Sequence, residues 1–473
     1  MLLPFQELSY RTGATFKWID LTEDGRVRTD NLDEVITERT KVVAVTHVGN
    51  ATGAITNIAP IIKRAHEVGS IFILDACQSV PHLKVDFHAL DVDFAAWSAH
   101  KMYGPTGVGF LYGKRDLLEA LPPANFGGSM VELAYMDHEA QYMAPPARFE
   151  AGTQPVAQVV AAGVAAEWMM NIGLENIEAH EKTIAAELLK LGDVDGIRIL
   201  GPRENVDRIG TVAFDVAGVH PHDVGQFIDA QGIAIRVGHH CAQPVHRHFG
   251  LYASNRASSG VYNSVEDAQA LVEAAKASVS SLEWSKQNTM NEFGMSGDDL
   301  EQMYQEVILE ASKHPHGKES FAPNAAVEQS ADAAANVTVQ ASHEYCTPGE
   351  SHQFNPTCGD EATIHVEVSD DEPHTIKRLV WDGHGCSISQ ASLSVMVDLV
   401  DGKTVDEAMD LEQTFHKLME SRGAGLDDEN LEEKLGDAVV FQGVSKYPMR
   451  IKCALLGWEG LKDSIAKALA AKN

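Results

Sequence analysis

The sequence predicts an α/β chain followed, across a linker, by a separate module, and three observations carry that prediction. Short apolar runs alternate with an amphipathic helical pattern between Lys41 and Trp97. The pattern lapses at Ser285–Gly297 into a polar, glycine-containing stretch, as an interdomain linker does. Beyond it stands a set of thiols and a carboxylate of a different character. The 473 residues also ask for more than one core, because single cores seldom grow past about 250–300 residues.

Each element has its own warrant. Val42–Thr46, Ile71–Leu74 and Phe94–Trp97 are apolar on both faces, as strands of a covered parallel sheet are. Ile58–His66 between the first two has helical spacing. Val159–Met170 and Leu174–Leu191 read as helices, and 206–237 as part of a small mixed domain. After the linker, Asp298 caps a helix striped by Leu300, Met303, Tyr304, Val307, Ile308 and Ala311, which Pro315 ends. Residues 317–342 lack any period and are expected to be a disordered or loosely held loop.

Totals exclude several functions. A net charge of −31 argues against a nucleic-acid or anionic-membrane partner, since both need basic patches. The six cysteines, Cys77, Cys241, Cys346, Cys358, Cys386 and Cys453, are too sparse for a secreted disulfide scaffold. No signal peptide is expected, since the first ten residues lack a basic segment leading into a long apolar one, and no run approaches the ~18 apolar residues of a membrane helix. A cytoplasmic protein is expected.

Ligands of open parallel sheets sit beyond the carboxyl ends of the strands. Asp75, then Gln78, fall there, and Asn50 closes the loop after the preceding strand. The third strand leads into Ser98-Ala-His100-Lys101 before a Gly-Pro turn. Lysine on one strand end and aspartate on the other suit pyridoxal phosphate (PLP), which needs an amine for its aldehyde, an acid beside its ring nitrogen and phosphate donors such as Ser98 and His100. Farther on, Cys241 follows two histidines and Arg236 in a turn opened by Gly238, where cationic neighbours would favour the thiolate.

The stretches His47-Val-Gly-Asn50, Asp75-Ala-Cys-Gln78, Ser98-Ala-His-Lys101, Arg148-Phe-Glu-Ala-Gly-Thr153 and Arg236-Val-Gly-His-His-Cys241 resemble the Suf-type cysteine desulfurases, class V aminotransferase relatives of PLP fold type I (aspartate-aminotransferase-like). The resemblance implies a Schiff-base role for Lys101, and contacts of Asp75, Gln78 and Asn50 with the ring nitrogen, phenolic oxygen or substrate. It implies that Thr153 is lent to the phosphate of a neighbouring subunit, hence a homodimer. Cys241 would take sulfur from L-cysteine as a persulfide, releasing alanine, with Arg256 on the substrate carboxylate and Arg236 supporting the loop. Cys77 is expected to be a small buried residue. The family carries a further segment, with the phosphate-binding helix, ahead of the point where this sequence starts. A truncated large domain over 1–150 and a small domain over 151–284 are therefore expected.

In the last third, Cys358-Gly-Asp360, Gly383-His-Gly-Cys386 and Lys452-Cys453 offer three thiols and one carboxylate, a set zinc accepts. Together they resemble the SufU/NifU-type iron–sulfur assembly proteins, which implies an α+β domain over 298–473. The stretch between Cys386 and Cys453 favours the SufU branch. Cys358 would then be the acceptor thiol, Asp360, Cys386 and Cys453 would hold zinc, and Arg450 would steer the acceptor loop. Iron, or an iron–sulfur cluster, is the alternative occupant, with the front half an incomplete remnant. Downstream Suf-type scaffold proteins would be the recipients. His222, in His220-Pro-His-Asp223, matches a desulfurase histidine that displaces the acceptor thiol from zinc, and reads equally well as a helix-start histidine.

Overall fold

Three sheets, each with its own core, organise the chain in the computed structural model, which describes residues 2–287, 307–308, 310–320, 341–355 and 359–471. In the first sheet β1 (Val42–Thr46), β2 (Ile71–Asp75) and β3 (Phe94–Ser98) run parallel, and β4 (Gly109–Gly113) closes the edge antiparallel to β3. The helix Ala59–Glu67 crosses from β1 to β2, burying Ile61, Ile62 and Ala65 against Val43, Val45, Phe72 and Leu74. The three apolar runs are these strands, within a residue at their ends.

A short ribbon, β5 (Val131–Leu133) with β6 (Gln141–Tyr142), precedes the helices Val156–Ile172 and Leu174–Leu188. The second sheet is antiparallel, in the order β7 (Ile197–Leu200), β8 (Thr211–Val216), β10 (Ser254–Ser258), β9 (Arg236–Gly238). Its core joins Ile199, Val212 and Phe214 to Val224 and Ile228 of the helix Pro221–Asp229 and to Leu271 and Ala275 of the helix Val265–Gln287. That last helix takes in Ser285, Lys286 and Gln287, where a linker was expected; the rest of the expected linker, with Asp298, Leu300, Met303 and Tyr304, lies outside the described residues. Helix wins here because Val265–Gln287 keeps its good helix formers up to Gln287.

The third sheet, β11 (Cys346–Phe354), β12 (Glu361–Ser369) and β13 (Ile376–His384), is an antiparallel meander. It packs on the helices Ser387–Val400, Val405–Glu420 and Pro448–Ala470 through Ile364, Trp381, Leu393, Phe415 and Trp458. Thr404 and Glu407 form a reciprocal capping box at the start of the second of these helices. Val307, Ile308 and Ala311 of the expected striped helix pack on this core. Part of the stretch expected to be loose is ordered: Lys318 bridges Trp381, and Gly317 lies against Val397. An apolar strand edge to pair with outweighs the lack of period at these residues; 321–340 lie outside the described residues. Cys346 is half-buried at the start of β11. Among the described residues no single helix is long and apolar enough to cross a membrane.

Candidate active site and metal centre

The parallel sheet brings the first group together at its carboxyl edge. Asp75 ends β2, Ser98 ends β3, and Lys101 and His100 are exposed on the one-turn helix Ala99–Lys101 that follows. The Cys77 amide donates to Asp75 Oδ1 at 3.0 Å, and Cys77 Sγ lies 3.8 Å from Ser98 Oγ. Cys77 is half-buried; burial and then the Asp75 carboxylate push its thiol up, while Lys101 pulls the other way, so all three candidates stand around it. Gln78 is half-buried one residue on. His47 was quoted in a motif but given no role: its amide donates to the Asp75 carbonyl at 2.9 Å, and its buried Nδ1 has no hydrogen-bond partner. Burial holds this imidazole at about 4, hence neutral. An orphaned ring nitrogen, an acid and an exposed lysine on one sheet edge fit a ring-bearing cofactor with an aldehyde. Thr153 is exposed ahead of the helix Val156–Ile172 and is not joined to this group.

Cys241 belongs to the second sheet. It is exposed just after β9, and His240 and Cys241 have φ of 52° and 59°, the left-handed region that side chains avoid. Two hydrogen bonds hold the turn there. Asn50 Nδ2 donates to the His240 carbonyl at 2.5 Å, and His240 Nε2 lies 3.0 Å from Ser254 Oγ. Arg236 Nη2 stands 3.9 Å from Cys241 Sγ. Arg256 pairs with Arg236 across β9 and β10, and its Nη1 donates to the Asn50 carbonyl at 3.1 Å. Burial, then Arg236, depress the Arg256 guanidinium, and Cys241 counteracts them. Its buried Nε has no partner. Two guanidiniums on neighbouring strands beside this turn would bind a carboxylate. Asn50 thus joins the first sheet to the Cys241 turn.

The thiol set converges in the third unit. Asp360, Cys386 and Cys453 are all buried, with ligand atoms within 4.8 Å of one another. Cys386 caps the helix Ser387–Val400, and its Sγ donates to Asp360 Oδ2 at 3.2 Å. Asn355 Nδ2 donates to Cys453 Sγ at 3.8 Å. The Cys453 contact lowers the Cys386 thiol, but burial with Asp360 and Asp223 raises it overall. A buried thiol kept protonated beside carboxylates is a group whose proton a divalent cation displaces, so these residues fit a metal ion. Gly385 makes room: a Cβ there would come within 2.2 Å of Ser389 Oγ and 3.1 Å of Asp360 Cγ. Cys358, the expected fourth ligand and acceptor, lies outside the described residues.

The two halves meet at this centre. His220 Nε2 lies 3.6 Å from Asp360 Oδ1, and Ser387 Oγ donates to Asp223 Oδ2 at 2.7 Å. His220, Pro221, His222 and Asp223 open the helix Pro221–Asp229, with proline at its first turn and the His220 side chain accepting from the His222 amide. The half-buried His222 has a buried Nε2 with no partner; burial first, then His220 and Arg450, hold it at about 4 against the pull of Asp360. Arg450 sits over the Tyr447 ring, 4.7 Å from its centroid. Gly359, next in sequence to Cys358, lies against His239 and Tyr252, where a Cβ would come within 2.7 Å of each. The His239 ring also stacks on Phe354, 6.1 Å between centroids. His220, Asp223, Ser387 and His239 were not singled out as site residues. Their one signal was adjacency to His222, Cys386 and Cys241, and adjacency does not say which side chain turns to which neighbour.

Known proteins resemble each half. The model described as "Aminotransferase class-V" matches residues 1–271, and "NifU-like N terminal domain" matches 303–454. The chain is 49% identical over 272 residues to "Probable cysteine desulfurase 2" of Mycobacterium leprae, covering 57% of this chain and 64% of that protein. It is 46% identical over 273 residues to "Probable cysteine desulfurase" of Streptomyces coelicolor, covering 58% and 65%. The crystal structure of cysteine desulfurase CsdA from Escherichia coli matches with 34% identity and TM-score 0.56, over 59% of this chain and 69% of that one. The apo cysteine desulfurase of Thermococcus onnurineus NA1 matches with 34% identity and TM-score 0.57, over 59% and 70%. The chain spans 64% and 65% of the length of the two curated relatives.

Proposed function

The chain belongs to the aminotransferase class-V family, and on that premise we propose that it is a PLP-dependent cysteine desulfurase fused to its own sulfur acceptor, working in iron–sulfur cluster assembly. Lys101 would hold the cofactor by its amine and Asp75 would face the ring nitrogen, with Gln78, Asn50, Ser98 and His100 around them. Bound PLP supplies an electron sink that makes the carbon–sulfur bond of L-cysteine breakable. Arg256 binds the substrate carboxylate, and Lys101 Nζ moves the proton of its α-carbon. The Cys241 thiolate attacks the substrate sulfur: a sulfur–sulfur bond forms, the substrate carbon–sulfur bond breaks, and alanine leaves with its electron pair protonated. A homodimer in which Thr153 serves the neighbouring subunit, and a cytoplasmic setting, belong to this reading.

The persulfide then passes to Cys358, with Asp360, Cys386 and Cys453 keeping zinc and Arg450 steering. A bound zinc ion would keep the Cys358 thiol deprotonated, and His222, whose buried Nε2 has no partner, would offer its ring nitrogen in place of Cys358. The freed Cys358 thiolate would then attack the outer persulfide sulfur, forming one sulfur–sulfur bond as the bond to Cys241 breaks and the Cys241 thiolate leaves. The observation that carries this reading is the junction, where His220 faces Asp360 and Gly359 lies against His239, two residues before Cys241. With L-cysteine as substrate, His222→Ala should still release alanine in the first turnover but leave Cys358 without persulfide, by mass spectrometry of its peptide. Persulfide on Cys358 at the unaltered rate would sink the transfer step. The match to a NifU-like domain supports a second reading, an iron–sulfur scaffold at the same thiols. Elemental analysis separates the two: zinc without acid-labile sulfide, or iron with it. Suf-type scaffold proteins would receive the product.

A further inference from the structure

We propose that Glu412, His416 and Glu459 form a second metal site, for a borderline divalent cation such as Zn2+, separate from the thiol centre. Glu412 and His416 are four apart on the helix Val405–Glu420, so they share one face. Glu459 reaches them from the helix Pro448–Ala470. The neighbouring side chains fix this crossing: Phe415 and Trp458, both buried, stack with centroids 4.7 Å apart and planes at 18°. His416 Nε2 lies 3.1 Å from Glu459 Oε1 and 3.3 Å from Glu412 Oε1, and the three ligand atoms are all within 4.8 Å of one another.

The 3.3 Å pair has the length of a coordination edge, and the 3.1 Å pair falls just short of one. Nitrogen and oxygen ligands about 2.0–2.2 Å from one tetrahedral ion stand roughly 3.3–3.5 Å apart. Direct pairing explains the cluster less well. Glu412 is 1% exposed, yet its Oε1 makes no hydrogen bond, and neither does His416 Nε2. The atoms converge without satisfying one another, and a fully buried carboxylate oxygen left so is costly unless a cation takes it. One imidazole with two carboxylates is a set that Zn2+ accepts, and the exposed side at Glu459 leaves a position for water. Lys462 Nζ stands 3.6 Å from Glu412 Oε1 on a half-exposed side chain. At that distance it offsets part of the Glu412 charge without a hydrogen bond, and it can swing to solvent when the ion enters.

The test compares the full chain with Glu459→Gln and His416→Gln after equilibrium dialysis of the metal-free proteins against Zn2+, counting metal per chain by elemental analysis. Each variant should hold one ion fewer than the native sequence, whether or not the thiol centre loads, or bind that ion at least about tenfold more weakly. Glu459 is exposed, so its substitution should leave the fold intact, checked by circular dichroism. Lys462→Met should tighten the same equivalent. With Co2+ as the probe, Glu459→Gln should keep the thiolate-to-cobalt absorption of the Cys386–Cys453 centre and lose only an ion bound without sulfur. Equal metal content and affinity in the native chain and both variants would overturn the proposal and leave His416 simply packed between two glutamates.

Discussion

Single residues carry distinct physical loads here, and each gives a sharp expectation. Lys101 is exposed on a turn at the sheet edge, so Lys101→Ala should abolish the visible absorption band that appears when PLP is added to the native chain. A band that survives the substitution would mean that the cofactor is held elsewhere. His47 is a buried imidazole held at about 4 against its ordinary 6.5. Its folded value is depressed, so the unfolded chain binds the extra proton first. The stabilisation from keeping it neutral is complete above pH 6.5 and is lost as pH falls toward 4, on the order of 3–3.5 kcal/mol at about 1.4 kcal/mol per unit. Thermal melts across that window should drop steeply, and less steeply for His47→Gln; parallel profiles would remove His47 as a cause.

At the scale of elements, close approaches decide what is tolerated. A Cβ at Gly349 in β11 would come within 2.0 Å of the Ser464 carbonyl and 2.8 Å of the Ala468 amide, both backbone of the helix Pro448–Ala470. Neither can rotate away. Gly349→Ala should therefore destabilise the third unit by about 1–3 kcal/mol, an overpacking cost, with hydrogen exchange in β11–β13 rising and exchange in β1–β4 unchanged. Gly385→Ala should act more locally, displacing Asp360 and lowering the metal retained on dialysis. Much of this level was readable in the sequence, since the apolar runs mark the strands Val42–Thr46, Ile71–Asp75 and Phe94–Ser98, though burial falls on Val43, Val45, Phe72, Leu74, Phe94 and Ala95 and leaves Val42 and Ala96 exposed. Helix ends were less so: Val265–Gln287 continues past Leu282 because nothing in Glu283–Gln287 stops a helix already nucleated on a packed core.

For the whole molecule, the question is how the halves stay docked. Asp223 accepts from Ser387 across the junction, and burial pushes its carboxyl up. Removing it with Asp223→Ala should weaken docking by about 1–3 kcal/mol, the cost of leaving the Ser387 hydroxyl without its partner. The readout is slower arrival of persulfide in the thiol unit, with alanine release unchanged. If both rates hold, the contact is incidental to transfer.

Read alone, the residues determined the α/β order of the first half and its family resemblance, and singled out Lys101, Cys241 and the Asp360–Cys386–Cys453 set as candidates. Such features reside in short spacings and in the reactivity of the side chains themselves. Only the tertiary structure decided that Asn50 would hold the Cys241 turn, that His220 and Asp223 would face Asp360 and Ser387, and that His416 would sit between two glutamates from different helices. Those pairs are distant in the chain or lie on different elements, and the packing of elements against one another, which no local period encodes, brings them within bonding distance.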